Sequence, residues 1–330
     1  MTCPERVLVT GGAGYIGSHF CKLLAQSGRV PVVLDNLSRG HREAVKWGPL
    51  EIADLRDRGA VLRALTRHRI EAVVHFAALA YVGESVQMPL RYYDTNLGGM
   101  TALLGAMQAA GVDHIVFSSS CATYGVPPHL PIDEATPQQP INPYGRSKLI
   151  CEWMLRDAAA SSSLRFAALR YFNAAGADPE GELGEWHHPE THLIPLTLMA
   201  AYGQAGPLQV FGSDYPTPDG TCLRDYIHVQ DLARAHLLAL SHLAQGGGSL
   251  AVNLGTGRGA SVRQVIAAVE AVTGRKVPVQ WRARRPGDPP ALTADVSLAA
   301  RAIGFRAELT ALERMVADAA PWFARETMEM

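Results

Sequence analysis

Apolar residues along this chain fall into two patterns. Short, nearly unbroken apolar runs occur at 6–10, 30–34, 70–79, 114–119 and 165–173, with a briefer one at 50–53. Runs of this kind predict strands whose two faces are both covered. Between them lie stretches in which apolar residues return every three or four positions: 18–26, 58–68, 90–110 and a segment that begins at Pro143. These predict helices with one apolar stripe. Strand and helix in alternation predict an α/β fold with a doubly wound parallel sheet. After Asn173 the pattern changes. Gly, Pro, His and acidic residues dominate up to Pro189, and the elements that follow are shorter, punctuated by Pro207, Pro216, Pro218, Gly220, Pro278, Pro286, Pro289 and Pro290. The expectation is therefore a sheet-forming unit at 1–172 and a smaller C-terminal α/β lobe at 173–330. The helix predicted at 230–243 and the strand at 250–254 are candidates to return to the first sheet. Gly246-Gly247-Gly248 reads as a surface loop, and no internal repeat is present.

Composition narrows the function classes. The 30 Lys and Arg balance 31 Asp and Glu in 330 residues, so no nucleic-acid or membrane surface is indicated. No apolar run is long enough to span a bilayer. The first strand begins almost at once, with no charged-then-apolar leader, which predicts a cytoplasmic protein. Cys3, Cys21, Cys121, Cys151 and Cys222 are odd in number and scattered without metal or redox spacing, as expected of free thiols in a reducing compartment.

Three segments carry candidate chemistry. The first strand runs into Gly11-Gly12-Ala13-Gly14-Tyr15-Ile16-Gly17, and the second ends at Asp35. Glycines at this spacing permit a tight turn, close approach of backbone to a pyrophosphate, and close packing of helix on strand; the helix start then faces the phosphates. Strand, glycine turn, helix and strand-end acid together predict a Rossmann-type dinucleotide site. Asp35 can accept bonds from ribose hydroxyls and repels a 2′-phosphate, which favours NAD over NADP; Arg39 is the nearby cation that works against that preference.

The second segment is Asn142-Pro143-Tyr144-Gly145-Arg146-Ser147-Lys148. Asn142 suits an N-cap and Pro143 the first helical position. Tyr144 and Lys148 then share a helix face. A free phenol has a pKa of about 10 and is only ~0.1 % ionised at neutral pH. A nearby ammonium is expected to bring the phenolate within reach, making Tyr144 a candidate general base supported by Lys148. The third segment, Ser118-Ser119-Ser120, lies at the C-terminal end of a predicted parallel strand, the edge where open α/β sheets bind ligands. A hydroxyl there can bond a reacting oxygen and share its proton with Tyr144.

Other residues admit two readings. Asp54, before Leu55, either bonds an adenine amino group or caps the following helix. Asn173 and Asn96 are ligand candidates or caps, with Asn173 the better ligand because it sits at the junction of the two units. Arg224 and Arg285 suit an anionic ligand, or pair with Asp225 and Asp288. Glu185, His187, His188, Glu190 and His192 invite a metal, but the stretch reads as a loop and no metal is assigned. No Gly-x-Ser-x-Gly elbow or P-loop is present.

Taken together, the motifs GGAGYIGSH, LDNLSRG, HFAALAYVGES, SSSCATYG, NPYGRSK, RYFNAAG, VFGSDYPTPDGTCLRDYIHV, NLGTG and RRPGDPPALTADVS resemble the extended short-chain dehydrogenase/reductases. The likeness is closest to the UDP-glucose (UDP-galactose) 4-epimerases. The resemblance implies an isomerase that holds NAD tightly and inverts C4 of a UDP-sugar through a 4-keto intermediate. It implies Tyr144, Lys148 and Ser120 as catalytic residues. It implies NAD contacts from Gly11, Gly14, Tyr15, Ile16, Gly17, Asp35, Asn36, Asp54, Leu55, Phe76, Ala77, Ala78, Asn96, Ser118, Tyr144, Lys148 and Tyr171. For the UDP-sugar it implies Ser120, Tyr144, Asn173, Leu193, Phe211, Arg224, Arg285, Asp288 and Leu292, with Phe211 against the uracil. It also implies a homodimer through the helices at 90–110 and 146–159. Two positions depart from the pattern: Ala80 stands where the family often has Lys, and Leu292 where it often has Tyr. The smaller Leu292 keeps N-acetylhexosamine substrates open, and UDP-pentoses share the same chemistry. A 4,6-dehydratase would need Asp and Glu where this chain has Cys121 and Ala122, and a non-catalytic NAD-sensing regulator would have lost Tyr144 or Lys148.

Overall fold

The computed structural model describes residues 4–285 and 288–325; Cys3, Pro286, Gly287 and the end of the second predicted unit, 326–330, lie outside them. Its first half alternates as follows: β1 (Arg6–Thr10), α1 (Tyr15–Gln26), β2 (Val30–Asp35), β3 (Leu50–Ile52), α2 (Arg58–Arg67), β4 (Ala72–His75), α3 (Val82–Gln87), α4 (Pro89–Tyr92), α5 (Gly98–Ala110), β5 (His114–Ser120), α6 (Pro143–Ala160) and β6 (Arg165–Tyr171). Then come β7 (Asn173–Ala175), α7 (Leu193–Tyr202), β8 (Leu208–Phe211), β9 (Leu223–His228), α8 (Val229–Ala244), β10 (Leu250–Leu254), β11 (Gly259–Ser261), α9 (Val262–Thr273), β12 (Val279–Arg282), β13 (Ala291–Leu292), α10 (Ser297–Ile303) and α11 (Leu312–Phe323).

Seven strands form one parallel sheet in the order β10-β6-β5-β4-β1-β2-β3. Alternate residues of β1 show why its run carries no polar face. Val7 and Val9 join Phe20, Leu24 and Leu240 in one core layer, whereas Leu8 joins Leu65, Leu103 and Leu155 in the other. The strand order reverses between β1 and β4, which opens the crevice where such sheets take ligands, at the C-terminal strand ends. β10 is the seventh strand, and α8 supplies core residues under the same face as α1.

In the second half β9 is central: β11 pairs it antiparallel, β13 and β7 parallel. β8 and β12 form a separate parallel pair. Ile194, Leu198, Val210, Val265, Val269, Val316 and Phe323 make its core. Among the described residues no helix is long and apolar enough to cross a membrane.

Four boundaries differ from the sequence expectation. α1 starts at Tyr15, three residues early, because the glycine turn leads straight into it. The run 70–79 is strand only over Ala72–His75: Phe76 and Ala77 both give their N–H to the Thr10 carbonyl (2.9 and 3.1 Å), which ends the ladder, and the rest is loop. The run 90–110 is broken by one wide π turn at Tyr93–Leu97, which turns Asn96 inward. β6 stops at Tyr171, and Asn173 opens β7 on the second sheet, so Asn173 does not end the strand that precedes it.

Candidate active site

The glycine turn is built too tightly for side chains. Gly11 has φ +70°, and a Cβ on it would lie 2.6 Å from the Ala77 nitrogen; one on Gly17 would lie 2.3 Å from the Gly11 carbonyl oxygen. α1 begins at Tyr15 with no side-chain cap, so its first-turn amides, those of Tyr15, Ile16 and Gly17, lack an intrahelical acceptor. Buried Asp35 spans the turn and the next loop, accepting from Ala13 N–H (3.1 Å) and Leu37 N–H (2.9 Å). Burial raises its carboxyl pKa and those two bonds oppose the rise. A backbone cradle that any Cβ would fill, an uncapped helix start and a buried acid fit a dinucleotide. Arg39 is occupied elsewhere: it pairs with Glu84 (2.9 Å), donates to the His188 carbonyl (2.6 Å) and lies over the Tyr81 ring.

Asp54 is not a helix cap. Asp57 caps α2 by accepting from Ala60 N–H. Asp54 instead accepts from the Arg56 side chain and N–H and from Asn36 Nδ2, and Arg56 holds its carboxyl well below the usual range. Leu55 packs on Gly99. Asn96 is spent inside the protein. It accepts from Leu79 N–H (2.9 Å) and donates to the Leu79 carbonyl (3.1 Å) and Ser147 Oγ (2.9 Å). It clasps the loop after β4, which carries Phe76, Ala77 and Ala78, to the start of α6.

α6 begins as its sequence dictates. Asn142 Oδ1 accepts from Gly145 N–H (2.8 Å) and Pro143 takes the first position. Gly145 has a second reason to be glycine: a Cβ there would lie 2.4 Å from the Ala122 carbonyl oxygen. That approach sets α6 directly on the turn after β5, so Tyr144, Lys148, Ser118 and Ser120 meet at one strand end. Tyr144 is 8 % and Lys148 3 % exposed. Lys148 Nζ donates to the Ser118 carbonyl (2.7 Å) and sits over the rings of Phe117 and Tyr144. The Ser118 and Tyr171 hydroxyls are 2.6 Å apart, and Ser120 Oγ accepts from Ala122 N–H (3.1 Å).

The electrostatics correct the sequence expectation. Burial, and then Tyr171, push the Tyr144 phenol well above its ordinary value, against a hydrogen bond with Ser120 that favours ionisation. Burial also lowers the Lys148 ammonium to about 8. Both groups have lost water, and the ammonium spends a donor on a carbonyl, so the pair alone leaves Tyr144 protonated.

On the second lobe, Arg224 pairs with Asp288 (3.0 Å) and donates to the Pro289 carbonyl. Its partner is not Asp225, which is fully buried and accepts from Thr256, Gly257 and Ala294. Arg285 stacks on Phe211 at 3.9 Å. Leu292 is level with Arg224 on the neighbouring strand and packs against the buried cluster of Tyr124, Ile132, Phe172 and Ala294, as does Cys121. Phe211, Arg285, Asp288, Arg224 and Leu292 therefore form a string that ends at the turn after Ser120. Leu193 opens α7 and Asn173 opens β7, half-buried on the same lobe.

One feature escaped the sequence reading. Buried Glu152 accepts from Ser119 Oγ (2.6 Å) and from Arg170 Nε (2.9 Å), and Arg170 donates on to Tyr124, whose hydroxyl donates to Asn253. The signal was present: Glu152 lies four residues after Lys148, on the face of α6 that meets the sheet. The loop after β7 holds the cluster that the sequence singled out without assigning it a metal. It does read as a loop, yet it folds so that Glu185, His187, Glu190 and His192 converge, while the His188 carbonyl serves Arg39.

Fold and site together define an enzyme class: a dinucleotide-binding Rossmann sheet with a tyrosine–lysine pair at a strand end and a second lobe facing it. Residues 7–255 match the NAD dependent epimerase/dehydratase family, and the chain belongs to that family. It is 52% identical over 321 residues to a UDP-glucose 4-epimerase of Rhizobium leguminosarum bv. trifolii, covering 97% of this chain and 98% of that protein. The crystal structure of UDP-glucose 4-epimerase from Brucella ovis in complex with NAD superposes with TM-score 0.96 at 57% identity, over 98% of this chain and 99% of that one. The UDP-glucose 4-epimerase from Bifidobacterium longum in complex with NAD+ and UDP gives TM-score 0.91 at 41% identity, over 96% and 97%.

Proposed function

We propose that this protein is a UDP-glucose 4-epimerase, interconverting UDP-galactose and UDP-glucose through a transient 4-keto sugar with NAD kept bound. One observation carries the reading: the buried Tyr144, Lys148 and Ser120 gather at the end of β5, two strands from the glycine turn, in a chain similar over nearly its whole length to proteins of that name.

Gly11, Gly14, Tyr15, Ile16 and Gly17 would hold the NAD pyrophosphate at the start of α1. Asp35, Asn36, Asp54 and Leu55 would hold the adenosine half, and Phe76, Ala77, Ala78, Ser118, Tyr171 and Lys148 the nicotinamide half. Asn96 acts at one remove, by fixing Leu79. When bound, NAD would supply the acceptor and donor of the C4 hydride and, in its oxidised form, a positive charge. Tyr144 Oη takes the 4-hydroxyl proton and later gives it back to the 4-oxygen. Burial raises the phenol pKa, and positive charge beside it, from Lys148 and from oxidised NAD, would favour the ionised form that takes the proton. Ser120 Oγ, beside Tyr144, would link the phenol to the sugar oxygen. Arg224 and Arg285 suit the pyrophosphate of UDP, Phe211 the uracil and Asp288 its ribose, with Asn173 and Leu193 completing the grip. Firm hold on UDP and loose hold on the hexose let the ketone present either face to the same hydride donor. Leu292, smaller than tyrosine, favours a second substrate class, the UDP-N-acetylhexosamines. The unpaired thiols of Cys21, Cys121, Cys151 and Cys222 support a cytoplasmic enzyme. A homodimer through the faces at 90–110 and 146–159 is supported by Leu90 (80 % exposed) and Trp153 (50 % exposed).

The test is purified protein mixed with UDP-galactose and then UDP-N-acetylgalactosamine, with no NAD added. Formation of UDP-glucose is the expected result; no conversion even after NAD is supplied would overturn the reading. Tyr144→Phe is expected to keep NAD and lose activity by a factor of about 10²–10⁴.

A further inference from the structure

We infer that Glu185, His187, Glu190 and His192 form a zinc site that staples the loop after β7 over the glycine turn. The four side chains come from one E-x-H-x-x-E-x-H segment, and a ligand atom from each lies within 4.8 Å of all the others. His192 Nδ1 is 2.9 Å from Glu185 Oε1 and 2.9 Å from Glu190 Oε1. His187 Nδ1 is 3.2 Å from Glu185 Oε1 and 3.6 Å from Glu190 Oε2. Each Nδ1 thus faces two carboxylates, although an imidazole Nδ1–H can serve only one well. Among the described residues, His187 Nδ1 is buried and meets neither carboxylate in good hydrogen-bond geometry. Glu185 is 4 % exposed, and among the described residues its ion-pair partners are His187 and His192, with no arginine or lysine. Donors held about 2.0–2.2 Å from a tetrahedral zinc stand roughly 3.3–3.5 Å apart, and the four separations here bracket that range.

The donor set selects the ion. Two imidazole nitrogens with two carboxylates suit zinc and its first-row neighbours; magnesium and calcium take oxygen. Four protein ligands leave no open position, the form of a structural centre. The surrounding bonds already fix the frame. Glu190 accepts from the N–H groups of Thr191 and His192, Trp322 Nε1 donates to the Glu185 carbonyl, and Arg39 donates to the His188 carbonyl. Tyr15 joins the centre to the glycine turn: its ring edge meets His187, and its hydroxyl donates to the Gly176 carbonyl at the root of the loop (2.6 Å). The ion would therefore rigidify a cover over the helix start that faces the dinucleotide phosphates. The same four groups without an ion would be a closed set of histidine–carboxylate pairs, and that is the competing outcome.

The experiment uses the tag-free, NAD-loaded protein, stripped with a chelator and titrated with Zn²⁺ against a chromophoric chelator, with Mg²⁺ and Ca²⁺ in parallel. The expected result is one zinc per chain, no comparable binding of Mg²⁺ or Ca²⁺, and strong visible bands of tetrahedral cobalt when Co²⁺ replaces zinc. The melting temperature should rise by about 2–6 °C with saturating zinc. In His187→Gln/His192→Gln affinity should fall by ~100-fold or more and the melting shift should vanish, with NAD content showing that the variant folds. Should that variant not fold, Glu190→Gln alone should weaken zinc by about tenfold or more. Absence of stoichiometric zinc, or zinc held equally by the variants, overturns the site in favour of the ion-free network. None of these readouts depends on epimerase activity.

Discussion

Lys148 is a cation placed where water cannot reach it. Its ammonium keeps one carbonyl, that of Ser118, and two ring faces, and burial lowers its pKa from 10.5 to about 8. The sign of the stability effect follows. Below pH 8 the side chain is charged in folded and unfolded chains alike, and the folded state bears the whole desolvation cost. Between pH 8 and 10.5 the folded chain releases the proton first, and the cost fades. Lys148→Met keeps the length and removes the charge, so it should stabilise the fold at pH 7 by roughly 1–3 kcal/mol, while activity falls by a factor of about 10² or more. Urea midpoints of both proteins at pH 7 and pH 10 check this. The gap should narrow at the higher pH; a variant less stable than the parent at pH 7 would mean that the Ser118 contact outweighs the buried charge.

At the scale of elements, the junction of α6 with the turn after β5 governs the site. Gly145→Ala adds a methyl where the nearest atom, the Ala122 carbonyl oxygen, would be 2.4 Å away and cannot rotate aside. The helix must lift, at a cost of about 1–3 kcal/mol, and Tyr144 moves with it. The expected outcome is a lower melting temperature and a large fall in kcat with little change in KM for the UDP-sugar. The start of α6 was legible beforehand because capping is local: Asn142 and Pro143 announce it whatever surrounds them. The β1–α1–β2 unit was legible for the same reason, since its glycines, apolar runs and strand-end acid all lie within one short segment. What could not be read depends on contacts between distant segments. Asn96 clasping Leu79, Asp288 rather than Asp225 meeting Arg224, and the switch of sheets at Asn173 are all decided by which elements come together. So was the balance at Tyr144. Spacing put the lysine near the phenol, but burial of both, which no local pattern records, sets the direction of their pKa shifts.

For the whole molecule, two properties follow from what the fold buries and what it leaves bare. Burial holds His75 and His236 neutral, with pKa values lowered to about 3 and about 4. Unfolding frees them to take up protons below about pH 6.5, so stability present above that pH is lost as pH falls toward 4. His236→Gln should therefore lose less urea resistance than the parent between pH 6.5 and 5, whatever its stability at pH 7.5; equal losses would assign the acid sensitivity to other groups. On the outside, α6 turns Trp153 half-exposed to solvent, and Leu90 is almost bare. A chain with near-neutral charge has little repulsion to keep such faces apart. A second copy covering both would remove the exposed half of the indole from water, worth about 1 kcal/mol, roughly half the value for fully burying a large side chain, once for each copy. Sedimentation should accordingly give a species of twice 35.5 kDa. Trp153→Glu, placing a carboxylate in that contact, should shift it to the single-chain mass while the retained NAD shows that the fold persists. A Trp153→Glu protein that still sediments as a dimer would place the pairing surface elsewhere, away from α6.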